Sequence, residues 1–179
     1  LNPSGLRVLD AGASTGGFTD CLLQAGAREV VALDVGHSQL HQRIRTDPRV
    51  IVLERTNLRH VEPGSLGVCD AVVADLSFIS LTQVMGVLLQ CCSAGGWLVL
   101  LVKPQFEATR PETTLGKGVI TDTLVWRSTL MRVIGSAHAH GAVLLGLKES
   151  PLRGSEGNLE FLLHLGKPGS DRMDSVEGK

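Results

Sequence analysis

The chain has 179 residues, 43% of them hydrophobic, and a formal net charge of −1. That length supports one domain with a sizeable core, and near-neutrality argues against a strongly basic, self-sufficient nucleic-acid binder. Four cysteines (Cys21, Cys69, Cys91 and Cys92) without C-x-x-C spacing argue against a zinc cluster or a disulfide framework, and read as buried thiols of a reducing, cytoplasmic compartment. The longest apolar runs, such as "WLVLLV" at 97–102, are far too short to span a bilayer, and no signal-peptide pattern is visible.

Apolar runs alternate with helix-like stretches along the chain. "LRVLDA" (6–11) predicts a buried strand, and residues 16–26 a helix ended by Gly26. "EVVALDV" (29–35) predicts a second strand, 38–46 a short helix stopped before Pro48, and "RVIVLE" (49–54) a third strand. "CDAVVAD" (69–75) is a fourth, followed by a helix over about 81–92, and "WLVLLVK" (97–103) a fifth. A loop rich in Pro, Gly and Thr covers 104–120, and a helix over about 121–140 follows, with Asp122 near its start and Gly141 at its end. "AVLLGLKES" (142–150) and "NLEFLLHL" (158–165) predict a terminal antiparallel pair. The polar residues 166–179 predict a disordered tail, so that 1–165 form one domain. A chain that starts at Leu1 and enters its first strand within about five residues reads as a piece of something longer.

Five strands alternating with helices specify an α/β fold with a doubly wound, Rossmann-like, mostly parallel sheet. The continuous Val/Leu runs agree, because such strands are covered on both faces. Ligands bind such sheets outside the carboxyl ends of the strands. The residues to weigh are therefore Asp10–Gly17, Asp34, Arg55–Asn57, Asp75–Ser77 and Lys103–Phe106. Asp75 and Lys103 are expected to end strands that neighbour the first, at the mouth of one crevice.

The stretch "VLDAGASTGGFTD" (8–20) asks which ligand the first turn holds. A dinucleotide fingerprint needs G-x-G-x-x-G, and Ser14 stands where its middle glycine belongs. A P-loop needs Lys after its last glycine, and Phe18 follows Gly17. What remains, D-x-G-x-x-x-G-G without a phosphate-binding lysine, suits a nucleoside ligand without phosphates, and S-adenosylmethionine (SAM) is the obvious candidate. Asp10 can accept from its ammonium. The backbone of the turn and helix start (Gly12, Ser14, Thr15, Gly16, Gly17 and Phe18) can meet its carboxylate. Asp34, at the end of the second strand, stands where an acid accepts both ribose hydroxyls. A merely structural strand–helix turn is the competing reading.

Other polar residues read as surface. His37 and His41, four apart on a short helix, have no third ligand in register, and no metal is expected. Arg43, Arg45, Arg49, Arg55 and Arg59 form a loose basic stretch, better read as a solvated face than as a phosphate contact. The loop 104–120, with Arg110 and Lys117, reads as a mobile, substrate-contacting lid beside Lys103.

The motifs "DAGASTGGFTD", "ALDVG", "VLERTNLR", "VVADLSFISL", "LVKPQFE" and "SPLRGSEGNLEF" together resemble the TlyA family, over about residues 6–165 and in family order. These bacterial proteins are often labelled haemolysins. The resemblance implies a class I SAM-dependent methyltransferase sheet and 2′-O-methylation of cytidines in ribosomal RNA, related to the FtsJ-type rRNA methyltransferases. The implied partner is rRNA or a ribosomal subunit, and no membrane. The resemblance also implies a Lys–Asp–Lys–Glu tetrad, in which Asp75, Lys103 and Glu160 match the last three members. Its first lysine and a small basic RNA-binding domain are expected upstream of the first strand. Residues 1–7, "LNPSGLR", contain no lysine. Asn57, after the third strand, is implied to contact the adenine, with an ordinary turn asparagine as the alternative.

Methyl transfer to a ribose hydroxyl requires alignment and help in removing the proton. Lys103 can act as a neutral base or as an ammonium that stabilises the alkoxide, with Asp75 and Glu160 orienting it. Three competing classes stand beside this reading: a nicotinamide-dependent oxidoreductase, a non-catalytic SAM- or RNA-binding module, and a cytolysin. Ser14 speaks against the first. The lack of a membrane-length segment or a clear basic amphipathic helix speaks against the last.

Overall fold

The computed structural model of the protein describes residues 1–109, 119–154 and 156–169. Arg110 and Lys117 of the expected lid, and the expected tail from residue 170 onward, lie outside the described residues. Seven strands form one sheet: β1 (Arg7–Ala11), β2 (Glu29–Leu33), β3 (Val50–Leu53), β4 (Cys69–Ala74), β5 (Cys92–Val102), β6 (Val143–Glu149) and β7 (Phe161–Gly166). Their order is β3-β2-β1-β4-β5-β7-β6. The first five run parallel, and β7 pairs antiparallel with both β5 and β6. The doubly wound sheet with a terminal antiparallel pair is therefore the observed fold.

Side chains alternate across each strand, and both faces of β1, β2 and β4 are covered, whereas the edge strand β6 is largely exposed. Val8, Val30, Ala32 and Val73 face one core with Leu22, Leu23 and Ile44, from α1 (Gly17–Gln24) and α2 (Gln42–Arg45). Leu9, Val31, Leu33 and Val72 face the other, with Met85, Leu88 and Leu89 of α3 (Met85–Cys91) and Val133 of the long helix Thr123–Ala139. That helix starts where Asp122 accepts the Leu124 N–H at 2.8 Å, as an N-cap should.

Five local expectations are corrected. The helix expected over 38–46 is only four residues long, because Ser38 is left-handed and the His41 ring caps a later start by accepting the Arg43 N–H. The pair His37 and His41 therefore does not share a helix. β5 begins at Cys92 rather than at 97. A register shift between the Cys69–Cys92 and Ala71–Trp97 pairs absorbs the extra residues. The stretch expected to be loop from 104 opens with a helical turn, α4 (Pro104–Glu107), which starts with proline at its first position, where the missing N–H costs nothing. Gly166 belongs to β7, and the Lys167 ammonium then donates to the carbonyls of Leu89 and Cys92. The long helix is accordingly α5 (Thr123–Ala139). Finally, Cys69, Cys91 and Cys92 are buried free thiols, but Cys21 is exposed, because Thr19, Leu22 and Leu23 take the inward stripe of α1.

The turn after β1 is set by two glycines. Gly12 has φ 86°, and a Cβ there would stand 2.3 Å from the Asp75 carbonyl oxygen. Gly16 has φ 104°, and its Cβ would stand 2.5 Å from Ile44 Cδ1. Both positions combine left-handed backbone with a close approach that only glycine tolerates.

Asp10 is fully buried beneath this turn. Its Oδ2 accepts the Thr19 hydroxyl at 2.6 Å, and its Oδ1 has no hydrogen-bond partner. Burial pushes its carboxyl up from 3.8 to about 6, partly offset by the bonds from Thr19. Between those values the unfolded chain has lost the proton and the folded chain keeps it, so stability falls as pH rises from about 4 to about 6. The full loss is about 3 kcal/mol, at 1.36 kcal/mol per pK unit. Asp10→Asn, which keeps an acceptor for Thr19, removes this loss. Urea unfolding at pH 4, 5 and 7 should show the variant gaining about 2–3 kcal/mol on the wild type across the range. A constant difference would mean that Asp10 does not change protonation on folding.

Candidate active site

Two cavities open at the carboxyl edge of the parallel strands and meet at one wall. The smaller, about 480 Å³, lies over the ends of β1, β2 and β4 and is lined by Gly12, Ser14, Asp34, Asn57 and Asp75 among others. The larger, about 1010 Å³, lies over the ends of β5 and β7 and is lined by Gly17, Phe18, Lys103, Gln105 and Glu160 among others. Asp75, Ser77 and Phe78 line both.

In the smaller cavity, Asp34 directly follows β2 and braces the glycine turn. Its Oδ2 accepts the Ser14 N–H at 2.8 Å and its Oδ1 the Gly36 N–H at 2.7 Å. Each oxygen keeps lone-pair capacity for a further donor. Asn57 caps the short helical turn Leu58–His60, its Oδ1 accepting the Arg59 N–H at 3.0 Å. The asparagine is thus a turn residue that also faces the cavity.

At the shared wall, Lys103 Nζ lies 2.5 Å from Asp75 Oδ1 and donates to Ser77 Oγ at 3.3 Å. Oδ1 has no hydrogen bond of acceptable angle, so the Lys103–Asp75 contact is an ion pair rather than a linear bond. The Lys103 side chain is only 13% exposed. Val102 pairs with Phe161 across β5 and β7, so the register carried one step further sets Glu160 opposite Lys103. Gln105 Nε2 donates to Glu160 Oε1 at 3.3 Å, while Gln105 Oε1 is buried without a partner. Burial pushes the Glu160 carboxyl up, opposed by the Lys103 charge and the Gln105 bond. Gly154 makes room for it, since a Cβ there would meet Glu160 Oε1 at 2.7 Å.

The structure thus joins Gly12, Ser14, Asp34, Asn57 and Asp75 in one cavity, and Gly17, Phe18, Lys103 and Glu160 with Asp75 in the next. Gly17 and Phe18, expected to hold the cofactor, line the larger cavity and not the smaller, and three further expected residues line neither. Asp10 is walled off beneath the turn and lines neither cavity. Thr15 and Gly16 line a separate concavity between α1 and α2, where the Thr15 carbonyl accepts the His41 N–H. β4 neighbours β1, whereas β5 stands one strand further out, so only Asp75 ends a neighbour of the first strand. Within the basic stretch Arg45 pairs with Glu54 and Arg49 with Asp47 at 2.8 Å. His37 also pairs with Glu54, at 2.9 Å. Among the described residues no group of three or more His, Cys, Asp or Glu is arranged for a metal, and no helix is long and apolar enough to cross a membrane.

Phe78 was passed over in the sequence. It is 90% exposed and left-handed at φ 64°, a strained state for an aromatic residue. Its ring stands 5.1 Å from that of Phe106, on the ridge between the cavities. Only its place directly after Ser77 in "ADLSFIS" pointed to it.

A model of FtsJ-like methyltransferases matches residues 1–167. A 16S/23S rRNA (cytidine-2′-O)-methyltransferase TlyA of Mycobacterium tuberculosis is 48% identical over 98% of this chain and 65% of its own length. The chain therefore spans slightly under two thirds of that curated relative. A provisionally named hemolysin from Lactococcus lactis is 43% identical, with a TM-score of 0.90 over 94% of this chain and 81% of that one. A SAM-dependent methyltransferase from Mesorhizobium loti, 16% identical with a TM-score of 0.64 over 93% of both chains, shares the fold. On the family match, which runs from the first residue through the last strand, the chain belongs to the FtsJ-like methyltransferases.

Proposed function

We propose that the chain binds SAM in the smaller cavity and carries its methyl group to the 2′-hydroxyl of a cytidine of ribosomal RNA held in the larger one. The observation that carries this reading is the Lys103–Asp75 pair on the wall the two cavities share. The cytidine and the rRNA rest on the TlyA relative, whose name states both.

The smaller cavity fits SAM on three counts. Asp34 offers unused acceptor capacity toward a ribose. The turn carries no phosphate-binding lysine. A volume of about 480 Å³ is in the range of small-molecule sites. Bound there, SAM supplies a methyl group already activated by its sulfonium. Lys103 then either accepts the ribose hydroxyl proton as a neutral amine or, as an ammonium, stabilises the developing alkoxide. Asp75 pairs with it directly, and Glu160 stands opposite it in the β5–β7 register. Phe78 offers an aromatic face to a base drawn out of its stack.

Calorimetry should detect SAM and S-adenosylhomocysteine without added metal, and no NAD. Asp34→Ala should weaken SAM by about 1–3 kcal/mol, the cost of stranding its donors. NAD binding in preference to SAM would overturn the cofactor assignment.

Lys103→Ala in the full-length protein should slow single-turnover transfer of labelled methyl to rRNA by roughly 10²–10⁴, the range for general acid–base groups. SAM affinity should hardly change, because the lysine faces the acceptor. A variant within a few-fold of wild type would remove Lys103 from the mechanism.

A further inference from the structure

We infer that Glu107 is a positioning residue, a buried carboxylate that clamps the segment after Asp75 onto the helical turn after Lys103 and so holds the ion pair together. The inference rests on the reaction proposed above. The hydrogen-bonded register of β4 with β5 ends at Ala74–Leu100. Asp75 and Lys103 both lie beyond it, on chain ends that no ladder bond joins. Glu107 supplies the missing link. Its Oε1 accepts the Leu81 N–H at 2.7 Å and its Oε2 the Ser80 hydroxyl at 2.6 Å. Its own N–H donates to the Lys103 carbonyl at 3.2 Å. One residue therefore ties the strand end that bears Lys103 to the turn five residues past Asp75.

The clamp is anchored from behind, since Arg132 of α5 donates to the Glu107 carbonyl at 2.9 Å. Ser80 in turn caps the next helical turn by accepting the Thr82 N–H. Glu107 is 9% exposed and lines neither cavity, so it touches no substrate. Burial pushes its carboxyl up, a cost that an apolar residue would not carry. The Phe78–Phe106 contact bridges the same two segments, but on the surface.

The test compares Glu107→Ala and Glu107→Gln in single-turnover methyl transfer to rRNA, with SAM affinity by calorimetry and a crystal structure of the Ala variant. The Ala variant should lose about 10–100-fold in rate at saturating SAM and RNA, the scale of a remote misplacement, with SAM affinity nearly unchanged. Gln, whose amide oxygen can still accept the Leu81 N–H, should recover most of the rate. In the crystal, Lys103 Nζ should move out of ion-pair reach of Asp75. An Ala variant as fast as wild type, a Gln variant no better than Ala, or parallel loss of rate and SAM binding would each overturn the inference. So would an unchanged Lys103–Asp75 contact, and that readout decides even if the wild-type protein fails to methylate rRNA, a result that would overturn the proposed reaction alone. If the Ala variant does not fold, Ser80→Ala removes one clamp bond and carries the same measurements. A several-fold rate loss with that contact opened is then expected, and a wild-type rate overturns the inference.

Discussion

A sheet covered on both faces has no room for charge between its last ladder bonds, and this constraint sets where the site can be. Asp34 stands one residue past β2, Asp75 one past β4 and Lys103 one past β5. Glu160 stands one residue before β7, which runs the other way, so it reaches the same edge. Each is the first position its strand leaves free. Neighbouring strands lie about 4.8 Å apart, so ionic partners on adjacent ends need no long loops to meet. Asp10 departs from this rule, since it lies within β1 and is buried, and its carboxyl is pushed up accordingly.

The edge is shared, but its two cavities differ in chemistry. On the β1–β2 side Asp34 braces the backbone amides of Ser14 and Gly36, and Thr56, Asn57 and Arg59 line the same cavity. On the β5–β7 side the polar groups are side chains: Lys103, Gln105 and Glu160, among apolar surfaces such as Leu101 and Leu162. The first arrangement suits a ligand of fixed shape held by main chain. The second suits a reacting group that must be aligned and deprotonated. The missing Cβ at Gly12 lets the β1 turn lie against the Asp75 carbonyl, so the glycine turn touches the wall the two cavities share.

The parallel strands were legible because a strand buried on both faces is a continuous apolar run. Asp34, Asp75 and Lys103 were legible for the same reason, each interrupting such a run at its end. Glu160 was legible only by resemblance, since its place opposite Lys103 depends on an antiparallel pairing across about sixty residues. What sequence missed was set by tertiary contact. β5 starts early because Cys92 pairs with Cys69 across a register shift. "PQFE" forms a helical turn whose side chains are fixed by partners far along the chain. Gln105 goes to Glu160, Phe106 to Phe78 and Glu107 to Ser80 and Leu81. No periodicity announces a four-residue turn of that kind. Thr15 and Gly16 were grouped with the cofactor turn by adjacency, yet the left-handed bend at Gly16 aims them toward α2.

The charges of the site do not balance within the protein. Burial pushes the Asp10 and Glu160 carboxyls up, and the charge of Asp75 adds to both, as that of Asp34 does at Asp10. The two cavities are lined by the acids Asp34, Asp75, Glu156 and Glu160 and by the bases Lys103, Arg59 and Arg153, with Lys103 already paired with Asp75. Such a site is complementary to a ligand of net positive charge. In the proposed reaction SAM brings a sulfonium in addition to its zwitterionic amino-acid end, whereas S-adenosylhomocysteine has lost it. In that reaction the clustered carboxylates would hold the charged donor more strongly than the spent product. Asp75 lines both cavities, so the ion-pair partner of Lys103 would face the donor's charge as well as the lysine.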